Sequence, residues 1–284
     1  MVWLALALPA WAERFDVAVY RATAGGAVAS IAAARAGAKV VLIEAEQHVG
    51  GMVSGGLGRT DMDRQQQLIG GLAGEFYARV GKRYNQPLAW FFEPKVAESV
   101  FREWLAEVGV TVRFGERLVS VRKEGGRISA LLTEGGSTFE AAVFIDASYE
   151  GDLLKAAGVS YAVGRESRSK FGERLAGRQD ILPGRHQFRV ATPAVGEDGR
   201  TVPYLADEEN VKATGEGDGL IQAWGFRLCL TNDPAKRIEI TRPEGYDVRR
   251  FGLLRNYVRA LGDGARLNDF LSISKMPNNK TDRS

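Results

Sequence analysis

The apolar positions near the start of the chain come in short, nearly unbroken runs rather than in alternation. Asp16-Val17-Ala18-Val19-Tyr20 is such a run, and it predicts a parallel strand covered on both faces. Gly25-Gly26 then opens an alanine-rich stretch, Ala27 to Ala36, with high helix propensity and side chains small enough to lie close on a sheet. Gly37 stops that helix, and Lys39 to Ile43 (KVVLI) is a second buried-strand pattern. Farther on the period changes to that of helices, over Leu68 to Val80 and Val96 to Val108. In the second, Val96, Val100, Phe101, Trp104, Leu105 and Val108 line one face, with Glu93-Pro94 placed for its first turn.

Thr111 to Phe114, Arg117 to Lys123 and Ile128 to Thr133 read as short strands, with Gly125-Gly126 as a hairpin turn. Gly135-Gly136 is a second turn before Ser137 to Ala142, and Ala142 to Asp146 is a buried strand returning to the parallel sheet. Periodicity fades after Tyr161. Lys170 to Asp218 is rich in Gly, Arg, Pro and acids and predicts long loops. Gln222 to Leu230 predicts a core strand. Arg250 to Leu261 predicts a helix with Leu253, Leu254, Tyr257, Val258 and Leu261 as its apolar positions. The fold class is α/β: a Rossmann-like domain over 13–160, with a parallel sheet and a β-meander. An inserted, partly irregular α+β substrate or cap region follows over 161–284.

The strand, glycine turn, helix and strand between Phe15 and Glu44 form a dinucleotide-binding βαβ unit. Its helix N-terminus presents backbone N–H groups and partial positive charge to a pyrophosphate. Glu44, 18 positions beyond Gly26, stands where an acid accepts ribose hydroxyls, and an acid there disfavours a 2′-phosphate. The three glycine positions of the usual fingerprint are here Arg21, Thr23 and Gly26, with Gly25 as an extra glycine. Arg21 carries a Cβ where the turn needs none, which predicts a strained or differently shaped turn. Gly50-Gly51-Met52-Val53-Ser54-Gly55-Gly56-Leu57-Gly58 has five glycines in nine positions, the composition of a backbone that passes close to a cofactor. Ala147-Ser148 follows the returning strand with side chains small enough for the same close approach.

On these residues the chain resembles FAD-dependent oxidoreductases with a fold like that of glutathione reductase and fumarate reductase. The resemblance rests on the βαβ unit with Glu44 and Gly50-Gly51, on Phe92-Glu93-Pro94, and on Phe144 to Asp152 running on into Ala157 to Glu166. Gln222 to Leu230 and Pro277 to Asp282 (PNNKTD) carry it further. It implies FAD as cofactor, held by Thr23, Gly25, Gly26, Glu44, Gly50, Gly51, Met52, Leu118, Val119, Ala147 and Ser148. The backbone at Leu118 and Val119 is assigned to the adenine through the resemblance alone. The resemblance also implies that the family's chain continues beyond Ser284 with a further strand and flavin contacts.

Composition narrows the partners. A net charge of +3, with Lys and Arg scattered rather than banked, predicts solvated faces and no nucleic-acid groove. Cys229 is the single cysteine; its apolar surroundings predict a buried structural thiol, and one cysteine excludes a dithiol redox centre. His48 and His186 are too few for a metal cluster. Trp3 to Pro9 followed by Ala10-Trp11-Ala12 reads as the end of a secretory signal over 1–12, too short to span a bilayer. That predicts a secreted or periplasmic protein, a cytoplasmic one being the alternative. Glu150 and Asp152 read as first-turn helix charges rather than catalytic acids, and Asp61 and Asp63 as a solvated loop. Arg165, Arg189 and Arg227 are candidates to orient an anionic substrate, against ordinary ion pairing. The function expected is hydride or electron-pair transfer between a small-molecule substrate and flavin. A non-catalytic secreted module that keeps a degenerate fold is the alternative. An NAD-linked dehydrogenase explains neither the Gly50 loop nor the Asp146 to Asp152 segment.

Overall fold

A computed structural model describes residues 13–62, 65–182, 187–205, 212–222 and 225–283. The signal segment over 1–12, Asp63 and His186 lie outside the described residues, as do Ala223 and Trp224 of the expected core strand. The chain forms two compact units. The first runs through Ser160 and takes back Phe226–Ala235 and the segment from Ile273; the second comprises Tyr161–Gly225 and Lys236–Ser272. Thus part of the expected cap region, 161–284, groups with the dinucleotide-binding unit.

The first unit is built on β1 (Glu13–Tyr20), α1 (Ala24–Arg35) and β2 (Val40–Ile43), as the apolar runs dictate. Helices α2 (Met52–Gly55), α3 (Gly71–Arg83) and α4 (Pro94–Glu107) follow, then β3 (Thr111–Arg113). The meander is β4 (Leu118–Glu124), β5 (Arg127–Thr133) and β6 (Thr138–Asp146). All six strands share one sheet in the order β3-β2-β1-β6-β5-β4. The pairs β3–β2, β2–β1 and β1–β6 are parallel, and β6–β5 and β5–β4 are antiparallel. The stretches Ser137 to Ala142 and Ala142 to Asp146 are therefore one strand. It starts in the meander and ends beside β1.

Alternation along β1 and β2 separates two cores. Val19, Val40 and Leu42 pack with Ile31 of α1, Phe76 and Val80 of α3, and Val100, Phe101, Trp104 and Leu105 of α4. Ala18, Tyr20, Val41 and Ile43 face the other way, with Leu131, Phe139 and Leu153. The apolar run of β6 is not buried along its length: Ala142 and Val143 are exposed. Helices α1 and α4 pack chiefly on β1, β2 and β3, so β6 lies beyond their cover.

A small antiparallel sheet completes this unit, with β7 (Leu228–Thr231), β8 (Ile273–Met276) and β9 (Lys280–Arg283) in the order β7-β9-β8. Here the sequence reading needs correcting. The strand predicted over Gln222 to Leu230 is a short edge strand, and Cys229 on it is exposed rather than buried. An edge strand in a three-stranded sheet has a neighbour on one side only, so apolar content alone does not cover it.

In the second unit, loops dominate as expected, with a short α6 (Arg168–Phe171) and α7 (Gly252–Leu261) among the described residues. Tyr257 of α7 is buried between Phe188 and Phe270, and Asn256 donates to the carbonyls of Pro193 and Val195. Leu254 and Val258 are exposed, so only part of the predicted stripe is core. Two of the arginine candidates are in ion pairs, Arg165 with Asp218 and Arg189 with Asp269.

Candidate dinucleotide site

In a parallel sheet, ligands bind where the connections from adjacent strands leave in opposite directions. Here that point lies between β1 and β6, because the chain leaves β1 toward β2 while β6 flanks its other side. Their carboxyl ends carry Arg21 to Thr23 and Ala147-Ser148. The Thr23 hydroxyl spans them: Oγ1 donates to the Ala147 carbonyl at 2.9 Å and accepts from the Gly26 N–H at 3.1 Å. Thr23 is thus the N-cap of α1, a role its residue type favours. Ala27 N–H donates to the Thr23 carbonyl. Gly25 lies in the first turn of α1, where backbone N–H groups lack intrahelical acceptors and suit an anion, while the Thr23–Gly50 bridge turns the Ala24 N–H toward the Gly50 carbonyl.

Gly26 is required by packing. A Cβ there would stand 2.1 Å from the Arg21 carbonyl oxygen and 3.0 Å from Ala147 Cβ. The glycine loop closes in from the other side, where the Gly50 N–H donates to the Ala22 carbonyl at 2.7 Å. Gly51, at φ +53°, lies under the Tyr149 hydroxyl, 2.2 Å from where its Cβ would be. The loop is not entirely irregular, since Met52–Gly55 forms one helical turn that places the exposed Met52 at its start.

Glu44 is 4% exposed and heavily used. Its Oε2 accepts from the Ala22 N–H at 2.7 Å, and its Oε1 accepts from the Glu46 N–H at 2.9 Å. Arg21 Nη1 stands 3.0 Å from the same Oε1. Arg21 holds φ +78°, the left-handed backbone that its place in the turn predicts. Sequence reasoning found the misfit but not the partner. The signal was present in the register: Tyr20 pairs with Ile43, so the next residue of each strand, Arg21 and Glu44, are neighbours.

The segment after β6 caps itself. Asp146 Oδ1 accepts from the N–H and the hydroxyl of Ser148, at 2.9 and 2.6 Å, and Oδ2 accepts from the Leu154 N–H at 2.8 Å. Ser148 Oγ in turn accepts from the Asp152 N–H. These bonds start the five-residue helix α5 (Asp152–Ala156), with Asp152 as its first-turn acid as expected. Two residues were missed. Asp146 is the organising carboxylate, and Tyr149 accepts the Met52 N–H at 2.8 Å, joining this segment to the glycine loop. An acid ending a strand ahead of Ser-x-x-x-Asp was the available clue to the first.

Leu118 and Val119 sit at the start of β4, away from these contacts. The Leu118 N–H donates to the buried Tyr20 hydroxyl at 3.1 Å, and Val119 is exposed. Burial pushes the Tyr20 phenol above its ordinary pKa. Arg227, the third arginine candidate, holds Asp282 with two bonds at 2.9 and 2.5 Å, and Asp282 also accepts from the Arg59 N–H. No group of His, Cys, Asp and Glu suited to a metal ion occurs among the described residues.

Fold and site together define a dinucleotide-binding α/β protein with a glycine-lined cradle at the switch point. The chain belongs to the FAD dependent oxidoreductase family, which matches residues 16–283, and FAD is its cofactor. Partial likenesses to solved structures accompany this. L-proline dehydrogenase from P. horikoshii is 13% identical, with 55% of this chain and 59% of that one covered at a TM-score of 0.43. The flavin-dependent brominase Bmp2 is 18% identical, with 60% and 48% covered at 0.41. A flavoprotein/dehydrogenase from Cytophaga hutchinsonii is 17% identical, with 55% and 44% covered at 0.41. The chain spans about half the length of these structures. No described helix is long and apolar enough to cross a membrane.

The residues present fit FAD. The N-terminus of α1 is a place for an anion, Gly26, Gly50 and Gly51 clear the backbone, and Glu44 is an acid at the end of β2. Arg21 is the one departure.

Proposed function

We propose that this chain serves the oxidation or reduction of a small organic substrate, with a hydride or electron pair passing between substrate and flavin. When bound, FAD supplies that chemistry. In this reading the protein contributes position. The α1 N-terminus, at Gly25 and Gly26, holds the diphosphate, Glu44 takes the ribose, and the Gly50–Met52 backbone and Ala147-Ser148 wall the passage toward the ring. Leu118 and Val119 are assigned beside the adenine. The observation that carries the reading is the N-terminus of α1 set against a glycine cradle at the β1/β6 switch point.

The test is an absorbance spectrum of the purified, desalted protein with and without added FAD. Flavin bands near ~450 nm that survive desalting, and bleach under a chemical reductant, are the expected result. A folded protein that shows no bound flavin in either condition overturns the reading. Export is proposed on the apolar run and Ala10-Trp11-Ala12 alone. An intact mass that starts at Glu13 after expression in a secreting host supports it, and an uncleaved product retained inside the cell counts against it.

A further inference from the structure

Arg21 and Glu44 meet where the adenosine ribose is expected, and the following inference rests on the flavin reading above. We propose that Arg21 is a built-in competitor of the cofactor, since its guanidinium occupies the carboxylate that the ribose hydroxyls need and must leave before they can bind. An ionised carboxylate has about four acceptor positions. On Glu44 three of them are engaged from within the chain, by the N–H groups of Ala22 and Glu46 and by Arg21 Nη1. The two N–H groups belong to the turns around the acid and stay with the fold. The guanidinium is the one partner on a side chain that can swing away, and it is 25% exposed.

The backbone delivers that side chain to the same place each time. The Arg21 N–H donates to the Ile43 carbonyl at 2.7 Å, and the Arg21 carbonyl lies against Gly26, so neither end of the residue can shift without moving β2 or α1. With φ at +78°, the residue holds the left-handed region, and its side chain reaches Glu44 at the end of β2. The competition is uneven. Both donors make charge-assisted bonds to the carboxylate, but the guanidinium adds a full positive charge beside it, which a neutral ribose hydroxyl does not. The guanidinium contacts Glu44 and not the helix N-terminus, so diphosphate binding persists while the ribose contribution is offset.

The experiment is a titration of FAD, and separately of ADP, into the wild-type protein, Arg21→Ala and Arg21→Gly, followed by flavin fluorescence and calorimetry. Arg21→Ala removes the guanidinium but keeps the Cβ and its backbone demand, so it isolates competition from turn shape. The expected result is a Kd at least about tenfold lower for both ligands in Arg21→Ala, and as low or lower in Arg21→Gly. Glu44→Ala then weakens binding about tenfold in the Arg21→Ala background and has little effect with Arg21 present. Should Arg21→Ala not fold, Arg21→Gln keeps a neutral donor at Glu44 and gives a smaller gain in the same direction. Affinity that is equal or weaker without the guanidinium overturns the proposal, because Arg21 is then neutral or holds the diphosphate itself. Absence of any binding by all the folded variants overturns the flavin reading, and the competition with it.

Discussion

The Thr23 side chain bonds to the Ala147 carbonyl across 124 positions of sequence, and so fastens the end of β1 to the end of β6. The same oxygen caps α1 through Gly26. Thr23→Ala removes both bonds at a buried site and is expected to cost about 1–2 kcal/mol in denaturant unfolding. Thr23→Ser keeps the hydroxyl and recovers most of that loss. A Thr23→Ala protein as stable as the wild type refutes the linkage.

The adjacent glycines are expected to behave oppositely. At Gly26 an added Cβ meets the Arg21 carbonyl at 2.1 Å, and backbone cannot rotate away as a side chain can. Gly26→Ala should lose about 2 kcal/mol or more and weaken FAD binding together with stability. At Gly25 the nearest atom is Thr23 Oγ1 at 3.7 Å, so Gly25→Ala is tolerated and gains from better helix propensity. Melting curves of the two variants, side by side, check the contrast.

Asp146 accepts three hydrogen bonds within eight residues. Asp146→Ala leaves the Leu154 and Ser148 N–H groups without their acceptor and should destabilise by about 2 kcal/mol. Hydrogen exchange localises the effect. The amides of α5 should lose protection while those of α1 keep theirs, and equal loss in both helices would show that Asp146 supports the whole sheet.

Much of this was legible in the chain, for reasons that particular residues make plain. The β1–α1–β2 unit depends on runs such as Lys39 to Ile43, where composition and period point one way and Val40 to Ile43 are buried by a core on each face of the sheet. Glu44 was found because strand length and helix length fix how far it lies from Gly26. What failed depended on partners remote in sequence. Cys229 lies in an apolar run, yet strand order leaves it at an edge. Asp218, Asp269 and Asp282 are distant from the arginines they hold, and no local pattern marks those pairings. Tyr149 is the intermediate case, three residues past a strand that was correctly placed, with its hydroxyl on a loop 97 positions away.

Glu93 gives the expected pH dependence. It is 2% exposed, with Lys280 Nζ at 2.6 Å from Oε1 and Asn278 Nδ2 at 2.6 Å from Oε2. Burial pushes its carboxyl up, but the bonds from Lys280 and Asn278 outweigh that and hold it below the usual carboxylate value. A depressed folded value means that the contribution is full above the unfolded value of 4.5 and is lost as pH falls through the folded one. Glu93→Gln should lower stability at neutral pH by about 3 kcal/mol, because Lys280 loses its buried counter-charge. It should also flatten the acid limb of the stability profile. Urea unfolding across the acid range checks both, and an unchanged acid limb removes Glu93 from the account.

The bond between Asn278 and Glu93 closes 185 residues of sequence, and that from Arg59 to Asp282 closes 223. Such closures form late, because the entropy lost in bringing distant segments together precedes any gain from the contact. During synthesis β1 and β2 emerge early with their local partners at hand, whereas Glu93 has only Lys95 beside it until Asn278 and Lys280 leave the ribosome. The nascent chain therefore passes through a long interval with its six-stranded sheet translated while the β7-β9-β8 sheet of the same unit is still unmade, and that interval is the one exposed to chaperones and proteases.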